Sequence, residues 1–103
     1  MLEIPGISNA SALRPVFAQN PSITKAVVFG SCAKGNYTER SDVDIALHGD
    51  LGFLDVEKIS CELEDLPFIQ KFDVVSYDLV NNAALRDHID RVGIVIYEKG
   101  TPS

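Results

Sequence analysis

Helical and strand patterns alternate along this chain, which predicts an α/β (α+β) layer fold, a small mixed sheet of about four strands flanked by helices. Residues 25–29 and 94–97 are short, largely apolar runs with the length of strands. Val43, Ile45 and Leu47 alternate with Asp42, Asp44 and Ala46 in the two-residue rhythm of another strand. Ile59, Leu63 and Leu66 recur instead at helical spacing.

The elements follow in order. Residues 8–19 are expected to be helical, with Pro15, which lacks an N–H, in an early turn or at a kink. Asn20-Pro21 stops that helix. Residues 25–29 form a buried strand closed by Gly30, and the polar, glycine-containing stretch 31–41 shows no strong period. After the Asp42–Leu47 strand comes a helix over 53–65, ended by Pro67, and then a strand over 72–77. Asn82 caps a helix that buries Leu85, Ile89 and Val92, and Gly93 occupies the position of a C′ glycine. The last strand covers 94–97.

The 103 residues suit one domain, 1–103, with its core at about 11–97 and flexible ends. Hydrophobic residues at 46% and charged residues at 23% are globular proportions. Nine basic against fifteen acidic residues give a net charge of −6, which argues against direct nucleic-acid binding. It leaves room for a phosphorylated small molecule. No apolar run is long enough to span a membrane, and residues 1–5 do not read as a signal peptide. Cys32 and Cys61 have neither a CxxC partner nor clustered histidines, so a cytoplasmic, reducing setting is expected.

The chemistry concentrates between Val28 and Ile45. Asp42 and Asp44 are two apart on a strand, so both carboxylates leave the same face. Asp73, set among Phe72, Val74 and Val75, can join them across a strand pair, where Cβ atoms lie about 4.5–5.5 Å apart. Three such carboxylates repel, and a hard divalent cation that shares phosphate and water ligands relieves the repulsion. Taken alone, Asp-x-Asp reads more simply as the wet side of a half-exposed strand. Gly30-Ser31 adds a turn whose backbone N–H groups suit a phosphate, although a plain glycine turn is an equally good reading of that pair. The Walker A pattern fails, because Asn36-Tyr37 stand where Lys and Ser/Thr are required. His48 and His88 have no spaced partners, Glu62, Glu64 and Asp65 make a charged helix face, and Tyr37 either stacks on a base or packs over the turn.

Gly30-Ser31, ten residues, then Asp42-Val43-Asp44 is similar to the G-S-x10-D-x-D signature of the DNA polymerase β-like nucleotidyltransferase superfamily. Asn20-Pro21-Ser22-Ile23, Gly35-Asn36-Tyr37, Phe72-Asp73-Val74-Val75 and Asp87 through Gly93 extend the resemblance to the minimal nucleotidyltransferases, often paired with HEPN-domain proteins. The resemblance implies that Gly30 and Ser31 hold the β- and γ-phosphates of ATP and that Asp42 and Asp44 coordinate two Mg²⁺ ions. It implies that Asp73 ligates the ion near the acceptor hydroxyl. Where many relatives read Gly-Ser-Arg-x-Arg/Lys-Gly, Cys32 replaces the first basic residue, and Lys34 keeps the second, either as a phosphate contact or as an ordinary exposed lysine.

A domain this small leaves little surface for an acceptor, so a partner chain is expected to supply it, in a hetero-oligomer or beside a homodimer. The resemblance implies transfer of AMP to a tyrosine of a helical HEPN-type toxin, with this chain as antitoxin. A module that neutralises its partner by contact alone, and transfer to a small molecule, are the competing expectations.

Overall fold

The computed structural model describes residues 10–30, 43–66 and 71–100. A 3₁₀ turn, Ala10–Leu13, leads into helix α1, Arg14–Ala18. The expected helix is thus shorter and split, and Ser8 and Asn9 lie outside the described residues. Pro15 sits in the first turn of α1, where a missing N–H leaves no helical bond unmade. Asn20 then turns back, its Nδ2 donating to the Val16 carbonyl at 2.6 Å.

Strand β1, Ile23–Phe29, begins two residues before the sequence expectation. It pairs antiparallel with β2, Val43–Gly49, and with β4, Ile94–Glu98. Strand β3, Phe72–Ser76, pairs parallel with β2, which gives a mixed four-stranded sheet in the order β3-β2-β1-β4. Tyr77 leaves the strand for a 3₁₀ turn, Tyr77–Leu79.

Helix α2, Phe53–Glu64, follows β2, and its Asp55 carboxylate accepts the Gly52 N–H at 3.0 Å. That bond satisfies one donor at the helix start. Helix α3, Ala83–Val92, is capped by the Asn82 side chain, which accepts the Leu85 N–H at 3.1 Å. Gly93 ends α3 as expected but at φ −67°, not in the left-handed region. Space explains it. A Cβ at Gly93 would collide with the Ile89 carbonyl and with Val27 Cγ1, so the glycine lets β4 leave the helix close to β1.

Alternation along each strand divides the apolar residues between two layers. Val28, Val43, Ile45, Leu47 and Phe72 join Leu13, Phe17, Ile59 and Leu63 in the larger core, under α1 and α2. Val27, Phe29 and Ala46 join Ile89 in a smaller core under α3, with Leu85 and Val92 half-buried at its edge. A bulge in β4 opposite Ala26 and Val27 allows both Ile96 and Tyr97 to reach the larger core. At the far end of the α3 face, the His48 ring stacks on Tyr77 with centroids 4.3 Å apart. The Tyr77 hydroxyl donates to the Asp90 carboxylate at 3.0 Å, and the Arg86 guanidinium lies 4.9 Å from the same ring.

Two stability measurements check these assignments. In denaturant titrations, Asn82→Ala should cost about 1 kcal/mol through its lost cap, and Leu63→Ala about 2–5 kcal/mol through a cavity in the larger core. Burial, reinforced by the charge of Lys25, holds the His48 imidazole below its ordinary pKa of 6.5. The unfolded chain then binds the proton more readily, so His48 should subtract stability as pH falls below 6.5. That part of the pH dependence should vanish in His48→Gln.

Candidate active site at the end of the sheet

Strand direction brings the expected site together. The chain leaves β1 at Phe29, while β2 and β3 begin at Val43 and Phe72; because β1 runs against the other two, all three points lie at one end of the sheet. Asp44 is paired with Phe29 on one side and with Asp73 on the other. The strands on either side of an in-register pair are about 4.7–4.9 Å apart, and in-register residues share a face. Asp44 and Asp73 are therefore neighbours on the α3 face, Asp44 half-buried and Asp73 exposed.

Apolar packing beneath holds this register. Val43 and Ile45, on either side of Asp44, are fully buried in the opposite layer, as is most of Phe72. A one-residue slip of either strand would turn a carboxylate into that layer.

Gly30 completes the described part of the site. Its φ is +76°, a conformation that favours glycine, and a Cβ there would collide with Asp44 Oδ2. Gly30, directly after β1, consequently lies against the Asp44 carboxylate. On the flank, the His88 ring of α3 meets Phe29 edge-on at 6.2 Å. Nothing in the sequence signalled that contact, which arises only when α3 crosses the sheet. His48, by contrast, belongs to the stack at the other end of β2.

Of the expected site residues, Gly30, Asp44 and Asp73 are brought together. Ser31, Lys34 and Asp42, with Cys32 and Tyr37, lie outside the described residues. Among the described residues no group of three His, Cys, Asp or Glu side chains is gathered for a metal. The donors present are two carboxylates on adjacent strands. Such a set fits Mg²⁺, which takes one or two carboxylates and completes its octahedron with water and phosphate oxygens. Among the described residues no helix is long and apolar enough to cross a membrane.

Comparison with known proteins bears on this geometry. A candidate protein adenylyltransferase of Methanocaldococcus jannaschii is 55% identical over 31 residues, 30% of this chain and 31% of that protein, so the match spans about a third of the relative's length. A toxin–antitoxin crystallised with AMP-PNP superposes with a TM-score of 0.76 at 19% identity, over 90% of this chain and 76% of that one. A mutant MntA–HpeT toxin–antitoxin gives 0.73 at 16% identity, over 90% and 75%. At these identities the structural likeness is one of fold, and it is the nucleotidyltransferase fold with the mixed four-stranded sheet described above. The family model for polymerase β nucleotidyltransferases matches residues 11–101, nearly the whole chain. With its sheet, its glycine turn and its paired acids accounted for, the chain belongs to the polymerase β nucleotidyltransferase family.

Proposed function

We propose that this chain transfers AMP from Mg-ATP to a hydroxyl of a partner protein, a tyrosine of a HEPN-type toxin, and so acts as an antitoxin. The register that makes Asp44 and Asp73 neighbours, with the Gly30 turn against Asp44, carries the reading. The AMP-PNP in one structural neighbour and the toxin–antitoxin character of both support it.

In this reading Gly30, with Ser31 and Lys34 after it, cradles the β- and γ-phosphates through backbone N–H groups, a hydroxyl and a charge. Asp42, Asp44 and Asp73 would hold two Mg²⁺ ions, which would neutralise the triphosphate and favour ionisation of the acceptor hydroxyl. Asp73, exposed at the start of β3, faces the acceptor and receives its proton, directly or through water. The hydroxyl oxygen forms a bond to the α-phosphorus while the bond from that phosphorus to the bridging oxygen breaks. Pyrophosphate leaves, and AMP remains on the acceptor.

Two outcomes are expected. Calorimetry should show ATP binding with Mg²⁺ and none with chelator, because unscreened carboxylates repel a bare triphosphate. Equal binding in both would remove the metal from the site. In Asp73→Asn the Mg-ATP affinity should fall by only about 1 kcal/mol, since no phosphate contact is lost. Transfer, read as the added mass of AMP on the partner, should slow by at least ~10²-fold. Asp44→Asn should abolish transfer and keep the melting temperature. Near-normal transfer by either variant would sink the assignment.

A further inference from the structure

The three basic side chains of α3 turn to different places. The Arg86 guanidinium lies over Tyr77 and donates to the Tyr77 carbonyl at 3.2 Å, past the end of β3 that lies away from the acids. Arg91 is paired with Asp87 at 2.9 Å, where both side chains are exposed. His88 packs edge-on against Phe29, with ring centroids 6.2 Å apart and planes at 80°.

Phe29 ties His88 to the acids. It is in register with Asp44, and Asp44 with Asp73, so the three side chains form one row across the α3 face of the sheet. Phe29 itself is buried, and the half-buried imidazole covers its end of the row. Gly30 follows Phe29 directly and lies against Asp44 Oδ2.

Packing alone does not call for a histidine here. Leu85, Ile89 and Val92 are the side chains of α3 that serve the smaller core. Position 88 falls on the same stripe, three residues after Leu85 and four before Val92. A leucine would cover Phe29 with more apolar area. Among the described residues, neither ring nitrogen of His88 has a hydrogen-bond partner. An imidazole carries a ring N–H in either protonation state, so this half-buried ring is a donor held in place on a helix.

We propose that His88 is a nucleotide-contact residue, whose ring N–H donates to the terminal phosphates of Mg-ATP beside Phe29 and Gly30. The inference rests on the nucleotidyl-transfer reading above, which puts the β- and γ-phosphates at Gly30, and it adds a donor from a second element. A triphosphate brings several negative charges to a place that already holds Asp44 and Asp73, and a donor fixed near its far end favours its binding. The contact is to phosphates that depart together as pyrophosphate, away from the bond being made. It therefore serves binding of the nucleotide more than the chemical step.

Calorimetry on the intact chain, beside melting curves, tests the contact. His88→Phe keeps an aromatic ring against Phe29 and removes the N–H. Its Kd for Mg-ATP should rise at least ~10-fold at an unchanged melting temperature, as expected for a lost hydrogen bond to a charged group. His88→Leu serves the same comparison should the larger ring unseat α3, and His88→Gln, which keeps a side-chain N–H, should recover part of the affinity. Unchanged Mg-ATP affinity in the variants that lack the N–H would overturn the proposal and leave His88 a packing residue. Pyrophosphate, which carries only the two phosphates concerned, should lose affinity by the same factor as ATP. A loss for ATP alone would put the contact at the adenosine end and overturn the assignment. In transfer assays, KM for ATP should rise while kcat stays within about threefold, and a fall confined to kcat would also overturn it. Binding is read without a partner, so a chain whose ATP affinity depends on His88 but which transfers nothing counts against the nucleotidyl-transfer reading and leaves this contact standing. Normal transfer by His88→Phe at unchanged ATP affinity and KM does the reverse.

Discussion

Two carboxylates held side by side on parallel strands are the constraint around which this domain is arranged. Asp44 and Asp73 gain nothing for the fold from being neighbours, since like charges at strand spacing repel. The opposite face of the same strands opposes that repulsion. Val43, Ile45 and Phe72 are buried there, and a one-residue slip would expose them and turn the acids inward. The core therefore acts as a clamp that holds the two carboxylates together against their repulsion.

The two faces of the sheet are unequal in a way that suits this role. The larger core lies under α1 and α2 and accounts for most of the buried apolar side chains. The smaller core, around Val27, Phe29, Ala46 and Ile89, occupies only part of the α3 face. Beyond it, at one end, the sheet carries Asp44 and Asp73 instead of apolar residues. Gly30 belongs to the same economy of space: with no Cβ, its backbone lies close to the Asp44 carboxylate, where any other residue would displace it. The stack of His48, Tyr77 and Arg86 ties α3 to the sheet at the opposite end of β2.

Geometry also connects the site with the sheet edge. Among the described residues β3 pairs only with β2, which places the exposed Asp73 on an edge strand of the described sheet.

The sequence by itself determined most of the elements and named the candidate residues of the site. Alternation in residues 43–47, helical spacing from Ile59 to Leu66 and the cap at Asn82 are local patterns, and local patterns survive without knowledge of the neighbours. The Gly-Ser turn and the Asp-x-Asp spacing were legible for the same reason, and Asp73 was picked out by its apolar flanks. Strand order and direction were decided only by the tertiary structure, because pairing is set by which faces bury each other. The one-residue bulge in β4, the splitting of the first helix and the extended backbone of Gly93 also answer to packing across the sheet. So does the contact of His88 with Phe29, which brings together residues far apart in the chain. Chain order names the acids; only the packed sheet makes Asp44 and Asp73 neighbours.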